Sequence, residues 1–128
     1  MPDIFIRKQK IRPGKTERLR EWIAKMHDAA DSEAAQDIWS AESLHTISLL
    51  IEHAEEGDYF VWFLEADSME QLIETRRAST HPLHDVEDEM MADVLEDPDE
   101  AGNFEPILHG VSPERPNDYI VERYSDEL

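Results

Sequence analysis

The segment 81–88 carries side chains whose types and spacing suit a metal site. His81 and His84 are separated by two residues, and Asp88 follows His84 by four positions. Residues four apart on a helix share a face, and imidazole and carboxylate groups are common ligands of divalent transition metals. The sequence therefore offers His81, His84 and Asp88 as metal ligands, or one of the histidines as an axial haem ligand. The alternative is structural: His81 caps a helix, and His84 lies partly exposed among acidic residues.

A second set of polar residues falls on predicted strands. Arg7 and Gln9 alternate along the first of these strands. If that strand pairs with the one that carries Tyr59 and Glu65, these side chains lie together, with Ser48 further out. An arginine, a carboxylate and a phenol in an apolar cavity can orient a small oxygenated ligand or assist proton transfer.

From this arrangement we predict a ligand site, without assigning a catalytic residue or a cofactor. Its members are Arg7, Ser48, Tyr59 and Glu65. The alternative is a cross-strand ion pair between Arg7 and Glu65 at a dimer interface, because a partly buried arginine needs a carboxylate partner. A register slip of one residue would turn Arg7 to the opposite face of the sheet.

Other kinds of site are excluded by residues that the chain lacks. It has no cysteine, which excludes disulfides, thiol nucleophiles and zinc–thiolate sites. Its four glycines cannot form a glycine-rich phosphate loop. The run that begins at Asp97 echoes a calcium-binding loop, but Ala101 and Leu108 occupy positions where such a loop needs oxygen ligands.

Acidic residues dominate the composition. The chain has 31 Asp and Glu residues against 12 Lys and Arg residues, for a formal net charge of −19. Such a field makes nucleic acids and anionic membranes poor partners. An acid-rich, lysine-poor surface is typical of proteins from extreme halophiles, because molar salt shortens the screening length to about 3 Å and quenches carboxylate repulsion. We expect a halophilic protein and, from the lack of a signal-like or membrane-spanning apolar run, a cytoplasmic one.

The most acidic stretch is 86–100, VEDEMMADVLEDPDE. Leu83, just before this stretch, and Val86, Met90 and Val94 within it recur at helical spacing, so we predict a helix whose acids form the solvated face. Pro82 suits the first turn of this helix, and Asp97 and Pro98 end it.

The remaining patterns predict one domain with alternating strands and helices. The predicted elements are a strand at 4–11, a helix at about 19–26 with a continuation capped by Ser32, a hairpin of strands at 44–53 and 59–66, a helix capped by Ser68, the helix from Pro82 and a last edge strand at 104–111. Both faces of the hairpin are partly apolar, so both need cover. Residues 1–111 form the predicted domain, and 112–128 form an extension that includes an extra strand or a dimer arm at 119–124.

The motifs IRPGK, GDYFVWFLEA and STHP, at 11–15, 57–66 and 79–82, together resemble the dimeric α+β barrel superfamily, which includes antibiotic-biosynthesis-monooxygenase-like proteins. The chain is also similar, over about residues 3 to 115, to a halophile-rich family of uncharacterised small proteins. The resemblance implies a ferredoxin-like β-α-β-β-α-β fold with an extra helix. It also implies a four-stranded antiparallel sheet whose second face is buried in a two-fold homodimer.

Two functions fit these observations. The first is a homodimer that binds a small molecule in a sheet-face cavity, including a cofactor-independent monooxygenase-like enzyme. The second is a non-enzymatic structural or interaction dimer with no small-molecule site. Fold alone does not choose between them. An enclosed pocket of a few hundred Å³ would favour the first, and a solid interior would favour the second.

Overall fold

A computed structural model of the protein describes residues 2–30, 32–115 and 121–124. Its elements are β1 (Asp3–Lys10), α1 (Thr16–Ala30), α2 (Glu33–Ala41), β2 (Leu44–Ala54), β3 (Gly57–Ala66), α3 (Met69–Ala78) and α4 (Pro82–Val94). The three strands form an antiparallel sheet in the order β1-β3-β2. The α+β class is therefore confirmed. No described helix is both long and apolar enough to cross a membrane.

The helices begin where the capping residues predict. Ser32 accepts a hydrogen bond from the backbone N–H of Ala35 at the start of α2. Ser68 accepts one in the same way from Gln71 at the start of α3. Pro82 occupies the first turn of α4, where its missing N–H costs nothing. Residues at or next to the first turn of each helix therefore determine where α2, α3 and α4 begin.

The hairpin of β2 and β3 presents the predicted apolar face. Its facing pairs are Ile47 with Leu64, Leu49 with Trp62 and Ile51 with Phe60. Ala54 pairs with Gly57, two residues from the predicted partner Tyr59. A shift of two residues keeps every side chain on its face, because the side-chain period of a strand is two.

Helices α1 and α4 pack on this apolar face and close the core. Buried side chains from the two helices meet Phe60 and Trp62 of β3. They are Leu19 and Met26 of α1 and Leu83, Met90 and Val94 of α4. Burying this apolar surface is the main favourable contribution to folding. The helix layer therefore covers one face of the sheet, and the other face carries Ile4, Ile6, Val61 and Phe63, each partly buried.

The predicted last strand at 104–111 is wrong, because these residues have no regular structure. The segment 95–101 lies beside the free side of β1 instead. Glu96 N–H donates to the Lys10 carbonyl at 3.0 Å, and Lys8 N–H donates to the Ala101 carbonyl at 3.1 Å. Pro106 has no N–H to donate, which weakens any strand that contains it. The described residues therefore form three strands, and a fourth strand is not among them.

Side chains fasten this segment to the core. Gln9 is fully buried, accepts a hydrogen bond from the Trp62 indole at 2.8 Å and donates to the Pro98 carbonyl at 2.9 Å. The N–H of Lys10 donates to the Glu100 carboxylate at 3.2 Å. The other predicted extension strand, 119–124, lies partly outside the described residues, and 121–124 have no regular structure.

The acidic stretch 86–100 is only partly a solvated face. Asp88 and Glu89 are exposed, as predicted, whereas Glu87 is buried at 9% exposure. Asp93 accepts hydrogen bonds from the Trp22 indole at 2.7 Å and from Arg18 at 2.8 Å. These bonds lower the pKa of Asp93 to about 2. Two of the acids thus belong to the packing of α4 against its neighbours rather than to its wet side.

Candidate functional site

A groove of about 800 Å³ lies between α1 and the β2 side of the sheet. Its walls are largely apolar and come from two layers. The lining includes Leu19, Ile23 and Met26 from α1, Trp39 from α2, Ile47, Leu49 and Ile51 from β2, Phe60 from β3 and Leu83 from α4, together with residues 121–124. The apolar residues at alternate positions of β2 and those on one face of α1 thus form the two main walls of the groove.

Apart from Glu87, the polar residues that line the groove are partly or fully exposed; they are Arg20, His27, Ser48, His53, Glu122, Arg123 and Tyr124. His27 Nε2 donates to the Val121 carbonyl at 3.0 Å. His53 Nδ1 lies 2.9 Å from an Asp58 carboxylate oxygen. Arg20 forms an ion pair with Glu17 on α1. These three residues are partly or fully exposed, so they belong to the mouth rather than to the depth of the groove.

Glu87 is the buried polar residue of the groove wall. Leu83 and Glu87 are four positions apart on α4, so both face the same way. Burial raises the pKa of Glu87 to about 7, against the opposing effect of the Arg76 guanidinium 3.1 Å away. Arg76 also bonds Asp88 at 2.9 Å, so its charge is shared between two carboxylates. A carboxyl group with such a pKa can serve as acid or base near neutrality.

Close to Glu87 lies a buried histidine–carboxylate pair, whose two members both influence the pKa of Glu87. His84 Nε2 is 3.2 Å from an oxygen of Glu42, and each residue is 5% exposed. Glu42 follows α2 directly, whereas His84 lies in the first turns of α4. Within the described part of the chain, His84 Nδ1 has no hydrogen-bond partner. Three titratable groups, Glu42, His84 and Glu87, are therefore buried next to one another.

The predicted metal ligands do not converge. His81 accepts a hydrogen bond from Leu83 N–H at 3.0 Å and caps α4, which confirms the structural alternative for His81. His84 is buried, so its predicted partial exposure is wrong. Asp88 bonds Arg76. No group of three or more His, Asp or Glu side chains in the described ranges is placed to hold a metal ion. Metal ligation stays a prediction that would require each residue to leave its present partner.

The predicted ligand-binding residues are divided between the two faces of the sheet. Arg7 lies opposite Trp62 and faces the helix layer, whereas Ser48, Tyr59 and Glu65 point to the other face. The expected position of Arg7 beside Glu65 is therefore wrong, and so is their ion pair. The Arg7 guanidinium instead donates to two backbone carbonyls in the segment 95–101. Of the four residues, only Ser48 lines the groove, and their role in binding stays a prediction.

Glu65 is held by three partners on the face away from the helices. It accepts hydrogen bonds from Thr46 at 2.9 Å and from Arg115 at 2.9 Å, and His109 Nε2 lies 2.5 Å from its other oxygen. Burial by itself would raise the pKa of Glu65, but the bonds from His109, Arg115 and Thr46 outweigh it and lower the pKa to about 2. The carboxylate thus ties residues 109 and 115 to the centre of the sheet.

A family model described as a family of unknown function, DUF6176, matches residues 2–115. The chain belongs to this family. The match spans every helix and strand and ends at Arg115, so the family includes the segment that anchors to Glu65. No curated protein and no solved structure matches the chain. The predicted similarity to a family of uncharacterised proteins is confirmed in that the chain belongs to a family of unknown function. The dimeric α+β barrel superfamily and a halophilic origin stay predictions.

Sequence reasoning missed Glu87 and Glu42 as site residues. The signal for Glu87 is present, because Leu83, Glu87, Met90 and Val94 follow one another at spacings of four, three and four, and all four are buried. An acid on the apolar stripe of a helix indicates a buried carboxyl group. No comparable local signal exists for Glu42, because its partner His84 is 42 residues away.

Proposed function

We propose that this protein binds a small, largely apolar organic molecule in the groove between α1 and the sheet. The observation that carries the proposal is the groove itself. Its volume of about 800 Å³ lies in the range of about 300–1,000 Å³ typical of ligand sites. Apolar walls with one buried polar group are the usual composition of such sites. A cofactor-independent, monooxygenase-like reaction on the bound molecule is the enzymatic form of this proposal, with Glu87 as its acid or base.

The groove is testable with a neutral fluorescent probe, 1-N-phenylnaphthylamine, whose emission rises in apolar surroundings. We expect saturable binding to the wild-type protein. Ile23→Trp places an indole in the groove, because Ile23 lies on its α1 wall, and should weaken binding at least about tenfold, since apolar contact is lost to steric overlap. The matched control is Ile73→Trp on α3, which is exposed at 42% and outside the groove lining.

Thermal unfolding of both variants shows whether each remains folded. If Ile23→Trp bound the probe with wild-type affinity, the probe would bind at a site other than the groove. Absence of saturable binding to the wild-type protein would reject the groove as a ligand site and favour a dimer without one.

Exposed apolar side chains support the homodimer. We name residues 102–115 the C-terminal arm; His109 and Arg115 fasten it to Glu65 on the sheet face away from the helices. Ile107 and Leu108 of this arm are 91% and 88% exposed. A second copy that covers both the arm and the partly apolar sheet face would remove these side chains from water, as expected for large exposed apolar patches.

For the dimer we expect twice the protomer mass by sedimentation equilibrium in molar KCl. The double substitution Ile107→Asp with Leu108→Asp should yield the monomer, because it places charges in the proposed interface. The matched control, Ile73→Asp on α3, should stay dimeric. A wild-type monomer at high protein concentration would contradict the dimer, as would an unchanged mass for the double variant.

The charge of −19 per protomer supports the proposal that the protein works at high salt concentration. Without salt, repulsion among carboxylates opposes the compact state. We therefore expect the far-ultraviolet circular dichroism of the folded protein to be lost on dialysis from molar KCl into dilute buffer and to return when KCl is restored. An unchanged spectrum in dilute buffer would contradict the halophilic interpretation.

A further inference from the structure

Glu87 is the buried polar residue among those that line the proposed groove, and its polar group is a carboxyl. Apolar walls bind an apolar body but cannot select its orientation, which in ligand sites is fixed by a few well-placed polar groups. Glu87 lines the groove, is buried at 9% exposure and has one oxygen 3.1 Å from Arg76. The other polar residues of the lining are partly or fully exposed, and three of them, Arg20, His27 and His53, are already bonded to other groups.

Resting on the proposed function, we infer that Glu87 is the recognition group of the groove and donates a hydrogen bond from its neutral carboxyl to a carbonyl oxygen of an otherwise apolar ligand. The ligand class is a neutral ketone, aldehyde or ester with an aromatic or aliphatic body. A carboxylate group fits poorly beside Glu87, because Glu87 is itself acidic and the chain carries a net charge of −19; the arginines of the lining, Arg20 and Arg123, are on its partly or fully exposed part.

The surroundings of Glu87 favour its neutral, donating form. Arg76 on α3 supplies a positive charge, but it divides this charge between Glu87 and Asp88. Burial is the largest influence and raises the pKa of Glu87. His84 lowers this pKa, as Arg76 does, whereas Glu42, the partner of His84, and Asp88 raise it. Only a protonated carboxyl can donate a hydrogen bond, whereas a carboxylate only accepts. A carbonyl ligand should therefore bind more weakly once Glu87 has lost its proton.

Two neutral naphthalene probes separate recognition by Glu87 from simple apolar binding. 6-Propionyl-2-dimethylaminonaphthalene carries a ketone, and its emission moves to longer wavelength when the ketone accepts a hydrogen bond. 1-N-Phenylnaphthylamine has no carbonyl group. Affinities and emission maxima of both probes are measured at about pH 6 and about pH 8, on either side of the raised pKa of Glu87.

For the wild-type protein we expect the ketone probe to bind about fivefold more tightly at the lower pH, with red-shifted emission. Glu87→Gln keeps an N–H donor, so it should bind the ketone probe with little dependence on pH. Glu87→Leu removes the donor and should bind it about tenfold more weakly at the lower pH. The probe without a carbonyl should bind all three proteins alike. The matched control is His45→Gln on β2, which lies outside the groove lining and should keep the wild-type dependence on pH.

Each outcome supports or overturns one statement. Equal ketone affinity at both pH values in the wild-type protein, or unchanged affinity in Glu87→Leu, overturns the role of Glu87 while the groove stands. Failure of both probes to bind the wild-type protein overturns the groove itself. Loss of the pH dependence in His45→Gln would show that the dependence arises outside the groove and would likewise overturn the role of Glu87.

Discussion

Glu65→Leu is expected to lower the free energy of unfolding by about 3 kcal/mol and to detach the C-terminal arm from the sheet. The residue itself is only 1% exposed, and its removal takes away the acceptor that Thr46, His109 and Arg115 share, although Arg115 keeps its bond to the Thr46 hydroxyl. Arg115 is partly exposed and can return to water, which keeps the loss below that of a fully buried ion pair. Urea unfolding followed by tryptophan fluorescence measures the first effect, and limited proteolysis within 102–115 measures the second.

The matched control is Glu52→Leu on the same face of the sheet. Glu52 is exposed and pairs with Lys8 at 2.9 Å, so its loss should cost below about 1 kcal/mol, as is usual for surface ion pairs. Equal effects of the two substitutions would show that Glu65 does not anchor the arm.

The low pKa of Glu65 also gives this contribution a defined pH window. Its pKa is about 2 in the folded protein against 4.5 for the unperturbed group, so the folded state binds the proton more weakly than the unfolded state. The stabilisation is therefore complete above about pH 4.5 and is lost as the pH falls towards about 2. Glu65→Leu should show a shallower loss of stability than the wild-type protein across this window.

His84→Leu is expected to destabilise the fold by about 3 kcal/mol, because it leaves the Glu42 carboxylate buried without a partner. The reference is His81→Leu, three residues earlier on the chain, which should cost only about 1 kcal/mol through loss of the cap on α4. Denaturant unfolding of both variants in molar KCl makes the comparison.

A double-mutant cycle tests whether the loss comes from the pair. Adding Glu42→Leu to His84→Leu removes the stranded carboxylate, so the double variant should be more stable than the sum of the two single effects predicts, by at least about 1 kcal/mol. Additive effects would mean that His84 and Glu42 do not stabilise each other across the 3.2 Å contact.

Local patterns predicted the hairpin and its faces correctly, because alternation with period two depends on neighbouring residues alone. The caps at Ser32 and Ser68 were predictable for the same reason. The position of Arg7 was not, because it depends on which residue of β3 lies opposite, and one residue of slip reverses the face.

The prediction of a last strand at 104–111 was wrong because an apolar run does not reveal whether another segment already lies along the free edge of β1. The segment 95–101 takes that place through backbone contacts and through Glu100, neither of which has a local signature. The partners of Glu65 are equally remote: Thr46, His109 and Arg115 come from β2 and from the arm. The polar clusters thus depend on contacts between residues far apart in the sequence, whereas most helices and strands follow from the local spacing of apolar residues.

The segment beside β1 also has a consequence for self-assembly. An uncovered strand offers unpaired N–H and carbonyl groups on which another polypeptide can grow a sheet, the first step towards amyloid-like aggregation. At Lys8 and Lys10 these groups are already occupied by irregular backbone and by a carboxylate, which a foreign strand would have to displace. This side of β1 therefore offers fewer free backbone groups on which a fibril could grow.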